Sequence, residues 1–189
     1  MMKKNKASNV AILSIFIAIM VVIHVVSNLV FSFLPVPIKP TLLQIPVIIA
    51  SIMYGPKIGS LLGGFMGIIS VINSSIVLLP TSYLFSPFVE NGNFYSLIVA
   101  IVPRILIGII PFYSYKLISN KFGLLISGAI GSLTNTVFVL SGIFIFFSSV
   151  YGGDIKLLLT GIISTNAIAE MIIASLVTVM VIPALKKIR

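Results

Sequence analysis

The sequence predicts an all-α integral membrane protein with six transmembrane helices and both termini in the cytoplasm. Three observations carry this. Residues of the class A, V, I, L, M, F, W, Y and C make up 59% of 189 residues, against 8% charged, and the mean hydropathy is +1.25. That balance cannot supply a water-soluble surface. The apolar runs recur along the whole length, at spacings suited to helices crossing ~30 Å of hydrocarbon. Finally, the basic residues sit at the ends of these runs, where they read as topology signals.

The predicted helices cover about 9–33, 42–55, 58–79, 95–115, 122–148 and 157–184, and residues 1–189 form one membrane domain. The first begins MMKKNKASNVAILSIF, a basic-then-apolar order shared with signal peptides, but no small-x-small cleavage site follows, so a retained helix is expected. The second is short for a full crossing. It is separated from the third only by Tyr54-Gly55-Pro56-Lys57, a turn signal because Pro56 cannot continue the preceding helix's hydrogen bonds. Without that turn the count would be five. The third carries Gly59, Gly63 and Gly67, a spacing that permits close helix approach. A cytoplasmic N-terminus places Lys3, Lys4, Lys6, Lys57, Lys116, Lys121, Lys186, Lys187 and Arg189 inside and only Lys39 and Lys156 outside. The same threading puts Glu90 and Asp154 outside.

Two outer connections, FLPVPIKPT (Phe33 to Thr41) and PTSYLFSPFVENGNF (Pro80 to Phe94), mix proline, aromatic and polar residues. They suit either a lid or pocket wall or simple connectors that cap helix ends.

Two charges fall well inside predicted spans, Arg104 and Glu170. A central arginine costs roughly +2.5 to +3.5 kcal/mol to insert, so such residues face the bundle interior or a watery cavity. Helix rise puts them roughly 15 and 20 Å from the outer ends of their helices, at depths where they can meet. Two readings stay open: an ion pair that only fixes packing, or a guanidinium fork for an anionic or carbonyl-rich ligand with Glu170 as counter-charge. Thr134, Asn135 and Thr136, with Thr165 and Asn166, lie at compatible depths, and Asn166 and Glu170 are four apart on one helical face. Interhelical hydrogen bonds would explain each alone. Convergence from three helices favours a pocket, which Asn73, His24 and Asn28 could extend. On helix one Ala7 and Ala11, then Ser14 and Ala18, are spaced four apart, suiting a packing contact within the bundle or with another membrane subunit.

Several classes are excluded. The net charge of +9 forms no stripe with interleaved aromatics, so nucleic acid is not a partner. There is no cysteine, one histidine and three carboxylates, too few for a metal centre plus acid–base chemistry. No GxxxxGK[ST], HExxH or GxSxG motif is present. No catalytic residue, cofactor or metal is expected.

The strings KPTLLQIPVIIASIMYGPKIG, PRILIGIIP and GSLTNTVFVLSGI, with the proline-rich first loop and the small-residue face of helix one, resemble the substrate-binding S components of energy-coupling factor (ECF) vitamin transporters. The resemblance covers essentially the whole chain. It implies a multi-pass protein of the bacterial cell membrane whose six helices enclose an outward-facing vitamin pocket, formed by helices four to six and capped by the first outer loop. Arg104, Asn135, Asn166 and Glu170 stand at suitable positions for ligand, with Thr134 and Asn73 nearby. It further implies that Ala7, Ala11, Ser14 and Ala18 face the shared ECF transmembrane subunit, which couples to two ATPase subunits. PRILIG and SLTNT look most like members assigned to pantothenate; riboflavin comes second, because PTLLQIP and NAIAE stand where riboflavin binders carry other strings. A self-sufficient small transporter or channel is the alternative, though no inverted repeat is evident.

Overall fold

The structure, a computed structural model, describes residues 6–33, 42–147 and 167–188. Among the described residues all regular structure is helical: α1 (Lys6–Ser32), α2 (Gln44–Tyr54), α3 (Pro56–Ile76), a 3₁₀ turn (Ser82–Leu84), α4 (Phe94–Ile107), α5 (Ile110–Leu117), α6 (Lys121–Phe147) and α7 (Ile168–Ile188). Among the described residues five stretches are long and apolar enough to cross a bilayer: Ala7–Val30, Pro56–Ile76, Phe94–Leu117, Lys121–Phe147 and Ile168–Lys187. The remaining apolar helix, α2, has 11 residues and spans only about 16 Å.

Although short, α2 is the centre of the bundle. It is apolar almost all round, and Pro46 through Ile52 are all buried, as a helix without a polar face must be. α3, α5, α6 and α7 all pack on it. The main core gathers there, with Val47, Ile48 and Ala50 meeting Met20 of α1, Leu62 of α3, Ile107 of α4, and Ala174 and Ile182 of α7. α1 lies at the periphery, holding on through a stripe that includes Phe16, whose ring meets Tyr54 edge-on at 5.8 Å.

Turn chemistry sets the connections. Gly55 joins α2 to α3 at φ 98°, a left-handed conformation that glycine tolerates, and Pro56 then opens α3, where a missing N–H costs nothing. The apolar stretch 95–115 runs as two helices, α4 and α5. Pro111 has no N–H for the Ile107 carbonyl, and the chain instead makes a tight turn, Gly108 N–H to the Ile105 carbonyl and Ile109 N–H to the Leu106 carbonyl, both 3.0 Å.

α3 and α4 pack tightly through small residues. A Cβ on Gly59 would run into the Gly108 backbone, one on Gly63 into the Arg104 carbonyl, and one on Gly67 would come 2.9 Å from the Ile101 Cα. α6 lies on α7 in the same way, where a Gly128 Cβ would meet Ala174 and Ser175 at 2.8 Å. These contacts put Lys57, Lys116, Lys121, Lys186 and Lys187 at one end of the bundle, where Lys186 Nζ donates to the Tyr115 hydroxyl at 2.9 Å and lies over its ring.

At the opposite end, residues 77–93 form a folded cap. Ser82 Oγ donates to the Val77 carbonyl and accepts from Leu79 N–H, each at 2.9 Å, and the Ser75 and Ser86 hydroxyls bond at 2.7 Å. Ser96 Oγ ties the cap to α4 through the Tyr83 carbonyl at 2.6 Å, while Asn93 and Ser96 form a reciprocal capping box. Beneath lies a second core of Leu84, Val99, Ile143 and Phe147, with Tyr95 stacked on Phe146 at 4.6 Å. The first outer connection, apart from Phe33, lies outside the described residues.

Candidate functional site

Between these two cores, mid-bundle, lies a group of buried polar side chains: Gln44 of α2, Arg104 of α4, Ser132 and Asn135 of α6, and Glu170 of α7. Their meeting follows from the shortness of α2. Ending near the lysine-bearing end at Tyr54 and only about 16 Å long, α2 has its N-terminal residue, Gln44, deep in the bundle.

Arg104 owes its place to the residue before it. In a helix the N–H of residue i bonds the carbonyl of residue i−4, and Pro103, inside α4, has no N–H for Val99. The freed Val99 carbonyl accepts instead from Arg104 Nη1 at 2.7 Å. The guanidinium is thus folded back along its own helix toward the cap, which sets the Phe85 ring over it at 5.2 Å, within cation–π range. Glu170 acts on it coulombically. Arg104 is 6% exposed, and among the described residues its Nε has no hydrogen-bond partner.

Glu170 is also held from α2. Gln44 Nε2 donates to Glu170 Oε2 and to Ser132 Oγ, both at 3.1 Å. Each member of the charged pair therefore has its own polar partner, Val99 for Arg104 and Gln44 for Glu170. Asn135, one turn from Ser132 on the same face of α6, is buried, and its Oδ1 has no partner among the described residues.

The remaining candidates stand as follows. Thr134 is buried, but its hydroxyl is used within α6, donating to the Ile130 carbonyl at 2.7 Å. Asn73 is half-buried in the last turn of α3, level with the first turn of α4, and makes no side-chain hydrogen bond among the described residues. His24 and Asn28 pair with each other at 3.1 Å on α1. Asn166 and Thr165 lie outside the described residues. Ala7, Ala11, Ser14 and Ala18 are all exposed.

Sequence reasoning missed Gln44, Ser132 and Phe85. Gln44 carries a legible signal, a lone amide in the apolar string LLQIPVIIA. Ser132 and Phe85 have none, since a serine in a glycine-rich helix and an aromatic in a loop are ordinary.

What the site can do follows from its groups. A buried guanidinium offers a planar fork to a carboxylate or phosphate, and two amide oxygens without partners, Gln44 Oε1 and Asn135 Oδ1, offer acceptors to hydroxyl or N–H groups. The arrangement fits a small anion bearing hydrogen-bond donors.

Comparison with known proteins agrees. Residues 8–182 match the family model described as "ECF transporter, substrate-specific component". The chain is 47% identical over 193 aligned positions, covering 100% of its own length and 98% of the relative's, to the pantothenic acid transporter PanT of Lactococcus lactis subsp. cremoris. It is 29% identical, with 90% and 88% covered, to the pantothenate transporter PanT of Leuconostoc mesenteroides subsp. mesenteroides. These are transporters, not enzymes. The chain belongs to the substrate-specific components of ECF transporters.

Proposed function

We propose that this protein captures pantothenate from outside the bacterial cell and hands it inward as the S component of an ECF transporter. The observation that carries the ligand class is Arg104: a guanidinium buried mid-bundle and held by the Val99 carbonyl and the Phe85 ring, with Nε unpartnered. Leaving a buried donor unmade costs about 1–3 kcal/mol, which a ligand carboxylate would recover. Pantothenate carries that carboxylate together with hydroxyls and an amide, and both relatives reported above are named for it. Asn135, Asn166 and Glu170 complete the site in this proposal, with Thr134 and Asn73 outside the first contacts.

In the same proposal six crossings, α2 included, leave both termini in the cytoplasm with the lysine-bearing end. The exposed small-residue face of α1, Ala7, Ala11, Ser14 and Ala18, docks on the shared transmembrane subunit, and two ATPase subunits drive the inward delivery. The binding test is calorimetry on the detergent-purified protein with pantothenate, riboflavin and other B vitamins. Pantothenate alone should bind below micromolar concentration, and Arg104→Ala should weaken it at least about 100-fold, the loss of a charge-assisted pair. Unchanged affinity with lost thermal stability would return Arg104 to a packing role.

A further inference from the structure

Gln44 stands in the string KPTLLQIP, where nothing in the sequence gives it a role, yet its amide is held on both sides of its NH₂ group. The residue is 1% exposed. Its Nε2 is shared between Ser132 Oγ and Glu170 Oε2, both at 3.1 Å. A carboxylate can only accept, so Glu170 dictates which end of the amide is which: the NH₂ must face α7, and the oxygen must face away. That oxygen, Oε1, is buried and has no partner among the described residues. An amide that could turn would not keep its acceptor in such a position, because an unmade buried hydrogen bond is expensive. It cannot turn, because turning would set two acceptors, Oε1 and the carboxylate, against each other.

We propose that Gln44 is a specificity-determining residue of the ligand site, its locked carbonyl accepting from an O–H or N–H of the bound vitamin. Glu170 and Ser132 are then positioning residues, which act on the ligand by fixing the Gln44 amide. The inference rests on pantothenate being the ligand. It assigns two groups of that molecule to different helices: the carboxylate to Arg104 of α4, a donor group to Gln44 of α2. A site built to hydrogen-bond a donor rejects the analogue lacking it far more strongly than an apolar pocket rejects a size change.

The test is a coupling cycle between Gln44→Met, which keeps length and volume but removes the acceptor together with the NH₂ that Ser132 and Glu170 hold, and three pantothenate analogues that each lack one donor: either hydroxyl replaced by hydrogen, or the amide N–H by N-methyl. Affinities come from calorimetry on the detergent-purified protein. The native protein should bind at least one analogue about tenfold or more weaker than pantothenate. Gln44→Met should weaken pantothenate by a similar factor and bind that analogue no worse than the native protein does, so that the discrimination disappears. Ser132→Ala, which removes one of the two restraints and leaves the core apolar, should reduce the same discrimination in part. It keeps the test decisive if Gln44→Met does not stay monodisperse. Discrimination equal to native for every analogue in the variants overturns the proposal. Failure of the native protein to bind pantothenate at all would instead overturn the ligand assignment on which it rests.

Discussion

A proline directly before a buried arginine is the most economical device in this molecule. Pro103 withholds an N–H from Val99, and Arg104 supplies the missing donor from its side chain at 2.7 Å. The cost of a proline in a helix interior, about 3 kcal/mol at an ordinary position, is partly offset, and in return a long flexible side chain is held in one direction. Pro103→Ala restores the main-chain donor and frees the guanidinium. Pantothenate affinity should fall by about tenfold, or ~1.4 kcal/mol of lost pre-organisation, while the ligand-free protein melts no lower than native. Calorimetry paired with a thermal melt checks this. Equal affinity in both proteins would mean that the tether does not organise the site.

At the scale of helices, the position of α4 is set by its backbone contact with α3. Gly63 and Gly64 are adjacent yet differ sharply: a Cβ on Gly63 meets the Arg104 carbonyl, whereas one on Gly64 finds only Ile105 Cγ1 at 4.0 Å. Gly63→Val should therefore push α4 outward, costing about 1–3 kcal/mol of stability and carrying Arg104 away from α6 and α7. Gly64→Ala should be neutral or slightly stabilising, since alanine is the better helix former by up to about 1 kcal/mol. Melting curves with and without pantothenate separate the two, and a Gly63→Val protein with native stability would show that the helices can part without loss. α2 teaches a related lesson. Its 11 residues look inadequate for a span, but their shortness is what delivers Gln44 to the middle of the bundle.

For the whole molecule, lipid replaces water as the solvent of the outer surface, so side chains such as Val22, Leu29 and Ile145 are exposed without penalty. Among the described residues polarity gathers at the lysine-bearing end, in the serine- and asparagine-bonded cap opposite, and in the Gln44–Arg104–Glu170 group between them. α1 is the least buried of the long helices described, and its small residues Ala7, Ala11, Ser14 and Ala18 are exposed. If that face serves the transmembrane subunit, Ala11→Trp should leave pantothenate binding within about twofold while cutting recovery of the assembled transporter by about tenfold or more, as a bulky residue at an interface centre does. Copurification from membranes, with calorimetry on the isolated component, measures both. Full assembly with the tryptophan in place would move the interface elsewhere.

Class, charge bias and the two costly charges were legible in the chain, because each depends on residue type and spacing alone: 59% apolar content, lysines at the ends of runs, Arg104 and Glu170 within them. Resemblance of PRILIGIIP and GSLTNTVFVLSGI to a transporter family was legible for the same reason. What touches what was not. That Arg104 bonds Val99 depends on a proline and a rotamer acting together, and that Gln44 donates to the Glu170 carboxylate depends on where a short helix begins relative to two long ones. The second pairing joins residues 126 apart in sequence, and no local pattern encodes it. Composition determined a lipid-soluble helical bundle with charge inside it; only tertiary packing decided which polar atoms are satisfied and which, such as Gln44 Oε1 and Asn135 Oδ1, stay without a partner among the described residues.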